Sequence, residues 1–317
     1  MFTMGYEISV GNYRLGMLEK VEINRSVELL ADTAIITLPS AQYNKTLDVE
    51  SKIKRGDKVV IKLGYEETGI IEEFSGWVQR VGTDGGAITL ECEDDLFKFR
   101  KSLKNQQKTN ISLANLLKIV VDGIGGGLKI DCSYSWTYEK FAINNATGYD
   151  VLKKVQEESG ADIYIQDDTL HIHAPGEKVG KDIIYDFSMN VQSCDLNYRR
   201  ADERRVEVVV KAVMPDGKVK EKKYGTTGGD KVEVKCATSD DASMKARGEA
   251  EHKRLSFDGY DGSITTWLVP FIVPGDCAEL YDRDYDYKNG RYYVRAVKTE
   301  FGSSGGTRII ELGFRLT

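Results

Sequence analysis

The side chains of this sequence best able to do chemistry are three histidines. His171 and His173 are separated by one residue in an alternating segment, so both would lie on one face of a strand and could reach the same metal ion. No third histidine is near them, and the segment from Phe141 to His173 contains no cysteine. We therefore predict two exposed histidines on an edge strand and no metal site. His252 falls in a charged, alanine-rich segment and is predicted to be a solvated helix residue.

The cysteines indicate structure rather than catalysis. Their number is odd, they are widely spread, and no two have the spacing of a metal site or belong to a recognisable Cys/His signature. Reduced thiols inside strands are therefore expected. The five positions are Cys92, Cys132, Cys194, Cys236 and Cys277.

Acidic pairs are plentiful, but most fall in predicted turns or helix starts, where a carboxylate is favoured without a catalytic role. No Gly-x-Ser-x-Gly elbow and no His-Glu-x-x-His motif occurs. The segment Asp282 to Asp286 resembles part of a calcium loop but lacks its glycine and its closing glutamate, so we predict a hairpin loop. We predict no catalytic, cofactor-binding or metal-binding residues, and hence no enzyme. The pairs are Glu66-Glu67, Glu72-Glu73, Asp94-Asp95, Asp167-Asp168 and Asp240-Asp241.

The composition is that of an ordinary soluble protein. The chain has 317 residues, which predicts two or three domains, and 41% of them are hydrophobic. Its net charge of −6 gives no general case for nucleic-acid binding. No basic region followed by an apolar run is visible at the N-terminus, and no apolar stretch approaches about 18 residues, so neither a secretory signal nor a membrane span is expected.

The period of the hydrophobic pattern divides the chain. Residues 1–100 alternate with period two and predict a first β-barrel-like domain. Residues 101–198 predict an α+β middle domain, with one helix from Leu113 to Ile124 and a strand-helix-hairpin unit in which Thr147 caps the helix and Gly160 ends it. Residues 199–317 predict a second β-barrel-like domain.

This last part of the chain begins with basic strands. A hairpin turn is predicted at Pro215, and an alanine-rich helix follows near residue 242. Many lysines and arginines lie in residues 199–223, and strand alternation assigns them to a solvated or partner-facing side. No aromatic residues are interleaved to form a stacking platform for nucleic acid.

Part of the last domain repeats part of the first. In both, a Gly-Asp pair opens an apolar strand, an acidic insert follows, a glycine leads into a Val-x-x-Val strand, and a glycine-rich turn precedes a final strand. The separations are nearly constant: 219 residues between the Gly-Asp pairs, 216 between the valines and 220 from Gly85 to Gly305. A near-constant separation predicts two related structural units. The signature residues are Gly56, Asp57, Gly76, Val78 and Val81 in the first copy and Gly275, Asp276, Gly290, Tyr293, Val294 and Val297 in the second.

These repeats, together with the unit from Thr147 to Gly160 between them, resemble the baseplate hub proteins of contractile phage tails. That family includes the late control gene D proteins and the related N-terminal part of type VI secretion spike (valine-glycine repeat) proteins. The resemblance covers most of the chain through loose motifs. Lys298 to Glu300 stands where the family often has a histidine, and the chain ends at Thr317 without a needle-like β-helix or a lysozyme extension.

The resemblance implies a structural role. Such hubs are homotrimers in the virion tail baseplate, assembled in the bacterial host cytoplasm, which join a hexameric tail tube to a trimeric spike. A tape measure protein is a further partner, and DNA or effector passes through as cargo. Two similar barrels in each subunit would give six positions around one axis. A tail-associated cell-wall hydrolase and a receptor-binding or glycan-binding β protein remain the alternatives.

Overall fold

The protein is built mainly of β-strands, with helices concentrated in its middle. The computed structural model describes residues 2–39, 49–84, 87–166, 168–200, 205–214 and 216–316. The predicted mainly-β class with an α+β middle module is confirmed. Gly85, Asp167 and Pro215, which the sequence-based interpretation used, lie outside the described residues.

The first unit is an antiparallel sheet whose strands bury every second residue. The strand order is β2-β1-β5-β6-β7-β4-β3, and the buried side chains form one cluster that includes Ile8, Ile36 and Leu90. This alternation is what the period-two sequence pattern predicts. The elements are β1 (Met4–Val10), β2 (Tyr13–Leu15), β3 (Lys20–Ser26), β4 (Thr33–Leu38), α1 (Val49–Lys52), β5 (Lys58–Tyr65), β6 (Gly69–Asp84), β7 (Ala87–Glu93) and a 3-10 turn (Asp95–Arg100).

The middle unit packs two helices against short strands. The first helix buries the face that carries Leu116, Leu117 and Val120 and ends at Gly125; the second has a capping box at Thr147 and ends at Gly160. Both helices are as the sequence predicts. The elements are β8 (Gln106–Ser112), α2 (Leu113–Ile124), β9 (Lys129–Cys132), β10 (Thr137–Ile143), α3 (Gly148–Ser159), β11 (Asp162–Gln166) and β12 (Thr169–His173).

The last part of the chain contains two groups of elements. One group forms the second barrel-like sheet, in the order β13-β19-β20-β21-β18-β14. The other is a separate three-stranded sheet, β16-β15-β17, with a helix. The elements are β13 (Asp182–Asp186), β14 (Val191–Arg199), β15 (Val206–Val213), β16 (Val219–Gly225), β17 (Asp230–Cys236), α4 (Asp241–Leu255), β18 (Gly259–Thr266), β19 (Cys277–Tyr281), a 3-10 turn (Asp286–Lys288), β20 (Gly290–Gly302) and β21 (Gly305–Arg315).

The domain boundary predicted between residues 198 and 199 needs correction. Strand β13 and all but the last residue of β14 precede that boundary, yet both strands belong to the second barrel-like sheet. Residues 206–255 follow it, yet Val208, Val210 and Met244 are buried in the same cluster as the helices of the middle unit. The physical reason is that an apolar face must pack against another element. The face of the middle unit that its own strands and helices leave open packs against β15 and α4.

The two barrel-like units share one topology. In chain order, β1, β3, β4, β5, β6 and β7 take the same places in their sheet as β13, β14, β18, β19, β20 and β21. The neighbours β5-β6-β7-β4-β3 and β19-β20-β21-β18-β14 are antiparallel throughout. The exception is that β1 is antiparallel to β5 whereas β13 is parallel to β19. The repeat predicted from the sequence is confirmed, and β15 to α4 is an insertion between two of its strands.

The two barrels are joined by the pairing of β3 with β20 and by a buried ion pair. Residues 296–302 of β20 pair antiparallel with residues 20–26 of β3, which makes a continuous sheet. Arg308 of β21 is fully buried and donates to Glu73 of β6 and to the carbonyls of Leu268 and Pro270 at 2.6 and 2.8 Å. In the described part of the chain, no helix has the length and apolar character needed to cross a membrane.

Candidate functional site

The Gly-Asp pair of the first barrel forms a turn that leads into β5 and is hydrogen-bonded to Val78 in the interior of β6. The N–H of Gly56 donates to the carbonyl of Val78 at 2.8 Å, and the N–H of Val78 donates to the carbonyl of Asp57 at 2.9 Å. The Asp57 carboxylate closes the turn by accepting from the N–H of Lys54 at 2.8 Å. Gly56 has φ +92°, a conformation that glycine adopts without steric cost.

The second barrel contains the same turn, with the equivalent hydrogen bonds. The N–H of Gly275 donates to the carbonyl of Val294 and the N–H of Val294 donates to the carbonyl of Asp276, both at 2.9 Å. The Asp276 carboxylate accepts from the N–H of Val273 at 3.1 Å and, in addition, from the N–H of Lys181 at 2.9 Å. Gly275 also has φ +92°. The same residue types at the same spacing therefore make the same backbone structure twice.

Each turn lies beside a β-bulge in the strand to which it is hydrogen-bonded. Strand β6 pairs with β7 through Val78 and next through Arg80, so one residue between them is left out of the register. Strand β20 pairs with β21 through Val294 and next through Ala296, with the same omission. A bulge bends a strand and increases its twist, so the two strands turn away from their first neighbour at equivalent points.

Strand β20 uses this bend to change its neighbour. Before Val294 one edge of β20 pairs with β19, and from Ala296 onward the same edge pairs with β3 of the other barrel. Strand β6 repeats only the first half of this arrangement. It pairs with β5 as far as Trp77, and beyond Val78 no strand in the described ranges pairs with that edge.

A second open edge lies at the equivalent of β3. Strand β14 holds the place in the second barrel that β3 holds in the first, and its described neighbour is β18 alone. Its outward side is largely exposed, including the thiol-bearing Cys194. An unpaired edge presents free N–H and C=O groups and is a template for another strand. Within the chain, the pairing of β20 with β3 forms one complete junction between barrels. The open edges of β6 and β14 are the two halves of a second junction of the same kind, and each is called a half-junction below.

The other signature residues divide into equivalent and non-equivalent positions. Val81 lies opposite Leu90, and Val297 lies opposite Ile310, so these valines occupy matching places. Gly76 does not match Gly290. Gly76 pairs with the second residue of its neighbouring strand and Gly290 with the fourth.

Gly76 and Gly290 also have different surroundings. A side chain at Gly76 would overlap the backbone of β7, whereas one at Gly290 would approach the Arg315 guanidinium, which can move, at 2.5 Å. The two glycines therefore do not occupy one position of the repeat.

Tyr293 and Gly160 lie at a cleft between the second barrel and the middle unit. The Tyr293 hydroxyl donates to Asp162 Oδ2 at 2.9 Å, and its ring stacks on Phe314 with the centroids 5.3 Å apart. Gly160 has φ +69° and leaves room for the Arg247 guanidinium. The cleft has a volume of about 710 Å³ and contains both cationic and anionic side chains. Burial raises the pKa of Asp162 to about 6, although the donors Gly176 and Tyr293 act in the opposite direction.

The Glu73–Arg308 pair was missed by sequence reasoning, which assigned Glu72-Glu73 to an acidic insert in a turn. Both residues lie in strand β6, and the side chain of Glu73 is almost completely buried. Burial raises the pKa of Glu73, against the attraction of Arg308. The sequence carried no local signal for this burial: alternation from buried Phe74 would place Glu73 outside, but a bulge leaves Glu73 out of the register between Phe74 and Glu72, and its partner is 235 residues away.

The histidine prediction was wrong about both the strand position and the exposure. Strand β12 is the central strand of the sheet β11-β12-β9, not an edge, and His173 is buried. Burial lowers the pKa of His173, and the Lys178 ammonium acts in the same direction. Asp131 of β9 lies directly opposite His171, and its carboxylate contacts both imidazoles. His252 is partly rather than fully exposed. The five cysteines are free and lie in strands, as predicted.

The fold of this chain is found in solved phage tail proteins. A tail protein from Neisseria meningitidis MC58 is similar over 99% of this chain and 97% of its own, at a TM-score of 0.66 and 13% identity. The 43 kDa tail protein of prophage MuSo2 from Shewanella oneidensis is similar over 98% of both chains, at a TM-score of 0.65 and 15% identity. The expected resemblance to hub-like tail proteins is confirmed as a resemblance of fold.

A secretion-system protein shares the same fold. An Escherichia coli component of the type VI secretion system, itself described as structurally similar to the T4 bacteriophage tail proteins gp27 and gp5, is similar over 98% of this chain and 77% of its own. The TM-score is 0.61 and the identity is 9%. No protein-family description and no curated protein sequence matches this chain.

Proposed function

We propose that this protein is a structural hub of a phage-type tail, a homotrimeric ring that joins a hexameric tail tube to a trimeric spike and leaves a channel for DNA or effector. The observation that carries the proposal is the half-filled junction. One barrel contact within the chain is complete, and the two edges needed to repeat that contact between chains are both open.

The internal junction defines how the next subunit would join. Within the chain, β20 beyond its bulge pairs with β3. By the repeat, β6 beyond its bulge pairs with β14 of a neighbouring copy. The internal pairs Ala296–Ser26 and Val297–Arg25 correspond to the intermolecular pairs Arg80–Arg199 and Val81–Tyr198. Such a head-to-tail contact joins two different surfaces, so it forms a closed ring only at a suitable rotation.

The number of subunits follows from the partners that the fold resemblance implies. If consecutive barrels are related by about 60°, six barrels close the ring, and six barrels are three chains. A ring of this kind presents six similar positions to a tube and three identical ones to a spike. Every strand edge described above is then covered, and each contact should bury at least about 1,000 Å².

The charge distribution fits a passage for DNA. A strongly basic channel would hold duplex DNA by releasing its counterions, so we expect a neutral or acidic channel wall. The basic strands of residues 199–223 are partly neutralised within the chain, since Lys220 and Lys222 both contact Asp241 and Lys211 contacts Glu233. In this proposal these strands face away from the channel.

The partners and location are part of the same proposal. A tube protein would contact one face of the ring, a separate spike protein the other, and a tape measure protein could enter the channel. The proposed place is the baseplate of the virion tail. The Escherichia coli relative belongs to the type VI secretion system, so a related secretion machine is the other setting for the same ring.

Native mass spectrometry tests the assembly. The purified chain is measured alone and with the cognate spike, and we expect a trimer in at least one condition. A monomer in both conditions would contradict the proposal. The comparison variant is Val81→Pro, which removes the N–H that faces the proposed β6 edge, because the equivalent Val297 faces β3 in the internal junction; it should reduce trimer while retaining the circular dichroism of the wild type.

Three members of the acidic pairs, which could have suggested a cell-wall hydrolase, are engaged in holding the fold. Glu73 is bound by Arg308, Asp94 accepts from the backbone of Leu96, and Asp240 caps α4. These groups are occupied in holding the fold. We expect no cleared band in a peptidoglycan zymogram and no binding on a glycan array; activity that is lost with a single carboxylate substitution would overturn this view.

A further inference from the structure

The possible ligand atoms of three side chains in the middle unit, Asp131, His171 and His173, lie close together. Strands β9 and β12 are parallel neighbours, with Asp131 opposite His171, and His173 lies two residues further on the same face. His171 Nδ1 lies 3.2 Å from Asp131 Oδ2, His173 Nε2 lies 3.4 Å from His171 Nδ1, and His173 Nε2 lies 3.6 Å from Asp131 Oδ2. The three atoms form a nearly equilateral triangle.

The hydrogen bonds around His173 fix which of its nitrogens carries the proton. Ser133 Oγ donates to Glu177 Oε2 at 2.9 Å, so its own proton is used there. At 2.7 Å from His173 Nδ1, the same oxygen must then accept from that nitrogen. The proton is on Nδ1, and the lone pair of Nε2 points into the triangle. A histidine ligand oriented through its second nitrogen is the usual arrangement in metal sites.

The size of the triangle fits tetrahedral coordination by a transition-metal ion. In a tetrahedral zinc site with bonds of about 2.0 to 2.1 Å, neighbouring ligand atoms are about 3.3 to 3.4 Å apart. An octahedral site with bonds of similar length would need separations of about 3.0 Å. The observed separations of 3.2, 3.4 and 3.6 Å agree better with the tetrahedral edge.

We propose that Asp131, His171 and His173 form a binding site for one divalent transition-metal ion of the Zn²⁺ class, with the fourth position taken by water or by a group from outside the chain. The two nitrogens and one carboxylate oxygen are ligands that Zn²⁺ accepts. The ion would tie β9 to β12. This revises the prediction from sequence that the chain binds no metal, because the third ligand comes from a strand about 40 residues earlier.

A cation already contacts the proposed ligand set. The Lys178 ammonium contacts Asp131 Oδ2, the same oxygen that faces both histidines. An ammonium and a metal ion would compete for this oxygen. Because the Asp131 and Lys178 side chains are 39% and 48% exposed, an ion can enter from that side and the lysine can move away.

The proposal makes opposite predictions for neighbouring residues, and zinc titration of the chelator-treated full chain by calorimetry tests them. Wild type should bind one Zn²⁺. Asp131→Asn and His171→Ala should abolish binding, and Ser133→Ala should weaken it by about 10-fold to 100-fold, because it frees the His173 ring. Lys178→Ala should bind more tightly than wild type. His252→Asn, the remaining histidine of the chain, is the matched control and should bind as wild type does.

Cobalt substitution separates this site from the cysteines. Co²⁺ in the proposed site should give visible absorption without the charge-transfer band of thiolate coordination. A wild type that binds no ion, an ion retained by both Asp131→Asn and His171→Ala, or a thiolate band would overturn the proposal. Circular dichroism checks that each variant is folded, and the half-exposed Asp131 and Lys178 are substitutions that the fold should tolerate. The outcome is independent of whether the protein forms a trimeric ring.

Discussion

At the scale of single residues, two aspartates fix the two repeated turns but differ in how much backbone they hold. Asp57 accepts one backbone hydrogen bond, within its own turn. Asp276 accepts two, and the second, from Lys181, ties the turn to the segment that leads into β13. Asp276 is buried and Asp57 is partly exposed. The same residue therefore holds one strand in the first barrel and two in the second.

This difference predicts unequal effects of the same substitution. Asp276→Ala should lower the free energy of unfolding by about 2 kcal/mol, since it removes a buried acceptor and leaves two partly buried backbone donors unsatisfied. Asp57→Ala should lower it by about 1 kcal/mol, because water can replace one partly exposed acceptor. Equilibrium urea unfolding measures both. Equal losses in the two variants would show that the extra bond to Lys181 contributes nothing.

Asp162 predicts a pH dependence. Its pKa of about 6 in the folded protein lies above the value of about 3.9 of an unfolded chain. Between these values the folded state binds more protons than the unfolded state, so the stabilising contribution of Asp162 is complete below about pH 4 and is lost as the pH rises through about 6. The complete loss should be about 3 kcal/mol. Asp162→Asn should remove this part of the profile, whereas Asp122→Asn, an exposed carboxylate on α2, should leave it in place.

Single residues also show where sequence reasoning stops. The Gly-Asp turns were predictable because each is local and appears twice. The partners of Glu73 and of His171 were not, because Arg308 is 235 residues from the first and Asp131 is 40 residues from the second. A buried polar residue is recognisable only once its strand neighbours are known.

At the scale of elements, the helix starts of the middle unit provide a matched pair. Helix α3 has a full capping box, in which Thr147 Oγ1 accepts from the N–H of Asp150 at 3.2 Å and Asp150 accepts from the N–H of Thr147 at 2.8 Å. Helix α2 begins after Ser112, whose side chain makes no capping hydrogen bond. Both helices have 12 residues and pack into one core.

The two caps should respond differently to alanine. Thr147→Ala should cost about 1 kcal/mol of stability, because it removes a side-chain acceptor for an N-terminal N–H. Ser112→Ala should change stability by less than about 0.5 kcal/mol, as is usual for a substitution that breaks no specific contact. Thermal unfolding of the two variants gives the comparison. A similar loss in both would mean that the capping box does not stabilise α3.

The strands and helices were predicted well from the sequence, but their assignment to domains was not predicted correctly. The alternation of Val206, Val208 and Val210 identified strand β15 correctly. It could not show that this strand covers the middle unit. An apolar face indicates that a strand is buried, but not which element covers it. The insertion between β14 and β18 therefore appeared as part of the second barrel.

At the scale of the whole molecule, the repeat supports the proposed ring. A strand that changes neighbour at a bulge joins two barrels within the chain, and the equivalent strand of the first barrel has an open edge at the same point. If no strand paired with this edge, its free N–H and C=O groups would remain exposed as a template for uncontrolled pairing. The central claim is that β6 of one copy pairs with β14 of the next in the register of the internal junction.

Disulfide cross-linking in that register tests the claim most directly. Cysteines replace Arg80 and Arg199, both exposed, in a chain whose exposed Cys194 is changed to serine. Opposed strand residues are close enough for a disulfide, so oxidation should give covalent dimers and trimers on a non-reducing gel. The pair Arg80→Cys with Asn197→Cys, two residues out of register, should cross-link poorly. Equal yields from the two pairs, or monomer from both, would contradict the proposed ring.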